Sequence, residues 1–389
     1  MENIQKNIVV LYGGVSPEHE VSIISAVQTM NALRGENYKV IPIYISKNGE
    51  WYMGGDDYMK PELYKDLEKV KRLGKSVVLS SNRKFSFLKK EWLGFAPLEY
   101  DVDLVFPVFH GRNGEDGTIQ GLLELANIPY VFSGVLGGSA GLDKYVTKRI
   151  AESLGVRVAP DRLVTKSEWG DSALKSLTKG LVYPVYVKPN TLGSSIGITR
   201  VEKPSQLKDA IEVGFHYDNR VLVEDSIDMD KEVNISVLGN GPYEVSVTEQ
   251  PVATDKLLSF KDKYISGSSR KSEGMASAKR IIPALITREQ REKIEDWARN
   301  IFKAIDGKGL ARVDFIIDKS GKIFFNEINT TPGSLAFYLW EKSGYPFGKL
   351  VSKLVTLAEQ SWKQKQAKIT TFNSNILKGM EKLGIKGKA

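Results

Sequence analysis

Gly309-Leu-Ala-Arg-Val-Asp-Phe-Ile-Ile-Asp-Lys-Ser-Gly-Lys-Ile-Phe-Phe-Asn-Glu-Ile-Asn-Thr-Thr-Pro-Gly333 reads as a β-hairpin. An apolar run around Val313 to Ile317 meets an Asp-Lys-Ser-Gly turn, and a second strand follows from Lys322 to Ile328. Asp314 lies on the first strand, and Glu327 and Asn329 lie on the second. Side chains two apart on a strand share a face, so Glu327 and Asn329 point the same way. A turn centred near Ser320 and Gly321 places Asp314 almost opposite Glu327. Three oxygen-bearing side chains then converge, as a hard cation such as Mg2+ requires when it also takes phosphate oxygens. The alternative is a hairpin whose polar residues simply face water. An Asp inside Arg-Val-Asp-Phe-Ile-Ile is an odd choice for such a strand.

Upstream of the hairpin, the sequence supplies a partner for such an ion. Asp143-Lys144 opens a helix that Gly155 ends, and Tyr183 to Pro189 is a short strand with Lys188 near its end. Asn190-Thr-Leu-Gly-Ser194-Ser-Ile-Gly197 follows, a loop of small residues whose backbone N–H groups can wrap phosphates. It lacks Gly-Lys-Ser/Thr and is not a Walker loop. Lys144, Lys188 and this loop form a candidate polyphosphate cradle. Arg220 to Ile227 is a strand whose carboxylate, Glu224, suits the ribose or base-amine edge of a nucleotide. Lys231 to Leu238 has antiparallel character. Residues 253–280 are polar and without periodicity, and Tyr264 within them suggests a lid that closes over substrate. Thr287 to Ile305 is an amphipathic helix, and Lys349 to Trp362 is the last one.

The N-terminal third alternates strands and helices, at residues 7–12, 40–45 and 103–109, which predicts a parallel α/β sheet with ligands at the strands' C-terminal ends. Two Gly-rich loops occupy that edge: Gly13 to Ser22, before a helix through Leu33, and His110 to Gly121. Glu20 is a candidate for a substrate amine or an ordinary first-turn carboxylate. His110 is a site candidate or a structural cap. Residues 47–100 are irregular and basic and read as an insertion with a helix near Pro61 to Leu73.

With 389 residues the chain exceeds one core, so two or three domains are expected. Zero Cys excludes disulfides and thiolate chemistry, and three His argue against a His-based zinc site. No apolar run approaches a membrane span, and the start has no signal-peptide shape, so a cytoplasmic protein without membrane contact is expected. Much of the net charge of +8 sits in a Lys-rich tail. No aromatic platform or recognisable motif accompanies it, which argues against nucleic acid and for anionic small molecules.

These blocks, in this order, resemble the D-alanine–D-alanine ligases of the ATP-grasp superfamily over roughly residues 5–360. The resemblance rests on Gly-Gly-Val-Ser-Pro-Glu-His-Glu-Val-Ser, His-Gly-Arg-Asn-Gly-Glu-Asp-Gly-Thr-Ile-Gln-Gly, Leu-Asp-Lys, Val-Lys-Pro-Asn-Thr-Leu-Gly-Ser-Ser-Ile-Gly, and the hairpin itself. It implies an ATP-grasp fold preceded by a Rossmann-like N-terminal α/β domain, divided at 1–127, 128–226 and 227–362, with a basic tail at 363–389. It also implies that two D-alanines are joined through an acyl phosphate for peptidoglycan synthesis, in a homodimer. Lys144, Lys188, Glu224 and Glu232 would contact ATP. Asp314, Glu327 and Asn329 would hold two Mg2+ ions, for which Mn2+ can substitute. Glu20, Ser194 and Tyr264 would form a network around the first amino acid, beside His110. Arg312 and the Gly333 N–H would form an oxyanion hole. Family members usually carry Ser five residues after that glycine, where this chain has Tyr338, so an acceptor such as D-lactate or D-serine is the alternative.

Overall fold

The computed structural model describes residues 5–80, 87–98, 101–252 and 280–371. The first sheet contains β1 (Asn7–Gly13), β2 (Lys39–Ile45), β3 (Trp51–Met53), β4 (Lys75–Leu79), β5 (Phe87–Glu91), β6 (Gly94–Pro97) and β7 (Leu104–Val108). Their spatial order is β6-β5-β4-β3-β2-β1-β7. Only β2, β1 and β7 pair in parallel. These are the near-continuous apolar runs, covered on both faces, as parallel strands require. The remainder is antiparallel. Residues 47–100 are therefore not irregular, as the sequence reading has it: they extend the sheet by four short strands. Strands this short and half-exposed leave too weak an alternation to register in sequence. The helix at 61–73 is reduced to a 3-10 turn, Pro61–Lys65, and a short helix, Leu67–Leu73, capped by Asp66.

The second sheet, β8 (Asp161–Thr165), β9 (Val185–Pro189), β10 (Thr199–Val201) and β11 (Arg220–Asp225), is ordered β10-β9-β11-β8 and wholly antiparallel. The third joins β12 (Met229–Leu238), β13 (Glu244–Val245), β16 (Leu310–Asp318) and β17 (Ile323–Asn329) in the order β13-β12-β16-β17. A two-stranded ribbon, β14 (Gln250–Pro251) with β15 (Arg280–Ile281), flanks residues 253–279. Helices Lys144–Ser153 and Arg288–Ala304 bury Ala151, Ile294, Ala298 and Ile301 against the third sheet. The second of these starts at a capping box between Thr287 and Gln290.

The last helix, Phe347–Gln366, packs Leu350, Val351 and Leu354 into the same core as β1, β7 and helix His19–Gly35. The C-terminal part of the chain thus helps complete the N-terminal core, which brings the first sheet's loops against the hairpin. At that edge Gly13 has φ +89°, and an added Cβ would stand 2.3 Å from the Ile45 carbonyl oxygen. Gly13→Ala should therefore destabilise the protein by about 1–3 kcal/mol. The denaturant midpoint reads this, and an unchanged midpoint contradicts it.

Candidate active site

The hairpin has the expected register. Asp318 folds its own turn, accepting hydrogen bonds from the Ser320 N–H at 2.9 Å and the Lys322 N–H at 2.8 Å, while Gly321 takes φ +83°. Asp314 then pairs with Glu327 and Arg312 with Asn329. The register slips after Asp314, so that Phe315 faces Phe325 and Asn326 is the bulged residue. Asn326 and Glu327 consequently both line the cleft between the second and third sheets, whose volume is about 450 Å³.

Three ion pairs stand in or beside this cleft. Lys144 is the first residue of its helix, behind the Asp143 cap. Its Nζ donates to the Leu192 carbonyl at 2.7 Å and lies 3.1 Å from Glu327. Lys188, near the end of β9, reaches Glu224 on β11 at 2.5 Å. Burial alone would raise the Glu224 pKa, but Lys188 and Lys148 hold it down to about 2. Arg312 donates from Nε at 2.7 Å and Nη2 at 2.6 Å to both oxygens of Asp314. In the loop between β9 and β10, Ser194 and Ser195 are left-handed, at φ +55° and +59°. Successive N–H groups in such a turn form an anion-binding concavity. Glu232 also lines the cleft.

Among the described residues no group of three or more His, Asp or Glu forms a ready-made ion cage. The set at the hairpin is two carboxylates and an amide, with Asn329 Nδ2 3.4 Å from Asp314. That donor set fits a hard divalent cation that takes its remaining oxygens from phosphate and water.

The first sheet's loops close the other end. Glu18, at the N-cap of helix His19–Gly35, is buried and accepts a short hydrogen bond from the Ser194 hydroxyl. Glu20 is not in this contact: it pairs with Lys47 at 2.5 Å, and its side chain is 59% exposed. The expectation for Glu20 is therefore corrected in favour of Glu18. Each helical residue turns the side chain by about 100°, so two positions separate a loop-facing from a solvent-facing carboxylate. Gly111 approaches Glu18 so closely that a Cβ there would stand 2.5 Å from Oε2.

His110 is buried with both ring nitrogens engaged. Nδ1 lies 2.9 Å from the Thr331 carbonyl, which only accepts, so Nδ1 donates. Nε2 lies 2.9 Å from Ser25 Oγ, which itself accepts the Ser334 N–H at 3.0 Å. A neutral imidazole thus fixes the loop around Gly333 through two contacts. Beside it, buried Glu115 accepts from the Gly111 and Thr331 N–H groups, both at 2.8 Å. Burial, then the nearby Glu18 charge, push its carboxyl up to about 8.

Past Gly333, residues Ser334, Leu335 and Ala336 are all left-handed, a strained run for non-glycine residues. It delivers Tyr338 to a buried cluster: the Tyr338 hydroxyl donates to Glu249 at 2.9 Å, and Arg280 lies 3.9 Å over the ring while pairing with Glu249 at 2.9 Å. Tyr264 lies outside the described residues. Sequence reasoning missed Glu18, Glu115, Ser25, Glu249 and Arg280. Glu18 and Glu115 stood inside the quoted motifs; the others carried no local signal.

Burial, and then the Arg312 charge, lower the His110 pKa to about 4 from its ordinary 6.5. The unfolded chain therefore takes the proton first as pH falls. The stabilisation is fully present above about pH 6.5 and is lost as pH falls toward about 4, a change of order 3 kcal/mol. The stability gap between the wild type and His110→Gln should narrow by roughly that amount between pH 7 and pH 4 in denaturant titrations. A constant gap contradicts the assignment.

Comparison with known proteins places the chain in a family. The family described as D-ala D-ala ligase N-terminus matches residues 7–133, and that described as D-ala D-ala ligase C-terminus matches residues 150–356. The D-alanine–D-alanine ligase of Geobacillus thermodenitrificans is 38% identical over 372 residues, covering 93% of this chain and 98% of that protein. Among solved structures, the VanG D-Ala:D-Ser ligase of Enterococcus faecalis aligns with TM-score 0.77 at 33% identity, over 91% of this chain and 99% of that one. The D-alanine-D-alanine ligase of Coxiella burnetii aligns with TM-score 0.75 at 28% identity, over 93% and 97%. The chain belongs to the D-alanine–D-alanine ligase family, with an ATP-grasp fold behind a Rossmann-like N-terminal α/β domain.

Proposed function

We propose that the protein joins two D-alanines at the expense of ATP, for peptidoglycan precursor synthesis. The observation that supports this reading is the meeting, in one cleft, of Lys144, Lys188, the small-residue loop and Glu327, which the hairpin pairs with Asp314. The triphosphate lies along Lys144, Lys188 and the loop at 190–197, with the base edge at Glu224 and the ribose near Glu232. Asp314, Glu327 and Asn329 would hold two Mg2+ ions, which would neutralise charge on the transferring phosphoryl group.

Glu18 takes the ammonium of the first amino acid and Ser194 orients Glu18. The amino acid's carboxylate oxygen forms a bond to the γ-phosphorus as the bond to ADP breaks, giving an acyl phosphate. The second amino acid's amine then attacks the acyl carbon, loses a proton, and displaces inorganic phosphate. Arg312 and the Gly333 N–H stabilise the tetrahedral oxyanion between these events. The His110–Ser25–Ser334 contacts keep that N–H in place. Residues 253–279, including Tyr264, exclude water from the acyl phosphate. We infer small-molecule substrates only, a cytoplasmic location and a homodimer; among the described residues no helix is long and apolar enough to cross a membrane.

Phosphate release with ATP, Mg2+ and D-alanine, together with detection of the dipeptide, tests the reaction. Glu18→Gln should lower kcat/KM for the amino acid about 10- to 100-fold, as loss of a charged hydrogen bond does, while Glu20→Gln should change it by less than about threefold. Absence of the dipeptide, with turnover only on D-lactate or D-serine, would transfer the reading to another acceptor. Equal effects at Glu18 and Glu20 would remove the ammonium assignment.

Tyr338 is the test of the acceptor side. Tyr338→Ser opens the wall formed with Glu249 and Arg280, and should shift KM for the second amino acid by about tenfold while leaving that for ATP in place. Identical acceptor selectivity would show that the wall does not touch the acceptor.

A further inference from the structure

Lys148 lies one helical turn after Lys144, on the same face of helix Lys144–Ser153, yet it does not reach the cleft as Lys144 does. It is 1% exposed, a rare state for a lysine. Its Nζ stands 2.5 Å from Glu224 Oε2 and 3.0 Å from Asp161 Oδ2. Asp161, whose side chain is also enclosed, takes a second cation from Arg149 at 2.8 Å. The other oxygen of Glu224 belongs to Lys188, at 2.5 Å. Glu224 is thus held between two lysines of different kinds. Lys188 borders the cleft, and Lys148 is enclosed behind the sheet.

We propose that Lys148 is a positioning residue for nucleotide recognition, keeping Glu224 ionised and aimed into the cleft when Lys188 turns to the phosphates. This rests on the reading of the cleft as a nucleotide site. Once Lys188 has left, Lys148 and Arg149 still balance Glu224 and Asp161, two cations against two carboxylates. Without Lys148, Glu224 would be a buried carboxylate with no cation, which takes up a proton instead. The distinction matters chemically. A carboxylate only accepts hydrogen bonds and suits the amino edge of adenine; a carboxylic acid also donates, and tolerates the carbonyl edge of guanine.

The test measures ATP and GTP binding to the full chain by calorimetry. Lys148→Met should weaken ATP binding and narrow the ATP-over-GTP ratio by about tenfold, the scale of one unmet polar contact. Lys148→Arg, which keeps the charge, should restore most of the ratio. Glu224→Gln combined with Lys148→Met removes both charges and should bind ATP as Glu224→Gln alone does, because Lys148 acts only through Glu224. That pair keeps the test decisive if the single Met variant fails to fold. The proposal is overturned if Lys148→Met alters stability but not the ratio, or if the double variant loses the same factor again relative to Glu224→Gln. Failure of the wild type to bind either nucleotide would instead overturn the nucleotide reading on which it depends.

Discussion

The arrangement of this site depends on the cost of leaving charge unpaired away from water. Three pairs satisfy that constraint at the site: Lys144 with Glu327, Lys188 with Glu224, and Arg312 with Asp314. Each joins a cation suited to phosphate or oxyanion with a carboxylate suited to a metal ion or a base. Breaking such a pair is expensive unless both members gain new partners together. A nucleotide carrying its metal ion offers both at once, phosphate to the lysines and cation to the carboxylates. Free phosphate or free metal offers only half of the exchange. On the proposed reading of the site, the pairing would therefore favour the complete ligand over either part alone.

A second constraint holds the two ends of the chain in register. Helix Phe347–Gln366 buries its apolar face in the first sheet's core, so the N-terminal loops cannot drift from the hairpin without exposing that surface. Among the polar contacts that position these loops are Glu18 to Ser194, Glu115 to Thr331, and His110 with Ser25 to Thr331 and Ser334. All are buried or part-buried, where a satisfied hydrogen bond specifies one geometry because alternatives leave a polar group without a partner. The strained backbone at Ser334 to Ala336 lies directly beyond the last of these contacts, supported on one side by Ser25 and on the other by the Tyr338 cluster.

Much of this was legible in the sequence because it is local. The facing of Asp314 and Glu327 follows from strand periodicity and a turn whose residues hydrogen-bond to their own backbone. Lys144 could be placed at a helix start because Asp143 caps it, and Lys188 at a strand end because Pro189 and a small-residue loop follow. The failures are equally physical. Glu18 and Glu20 are both acidic and both near a helix start, and only the orientation of the helix decides which meets Ser194. Residues 47–100 form short antiparallel strands whose pairing is stabilised by an existing sheet edge, so their own pattern is faint. Glu249 and Arg280 meet Tyr338 across the third sheet and the ribbon beside it, and no interval along the chain announces that meeting.

The sequence by itself determined the elements and the chemical inventory: parallel strands where apolar runs are continuous, loops where glycines and serines gather, a hairpin with converging oxygens, and the blocks that mark the family. Tertiary structure alone decided which charges neutralise one another. It buried Lys148 behind Glu224 while leaving Lys144 in the cleft, turned Glu18 inward and Glu20 outward, and enclosed Tyr338 with Glu249 and Arg280. The reason is that side-chain identity is fixed residue by residue, whereas desolvation and Coulomb pairing depend on what the fold brings within a few ångströms.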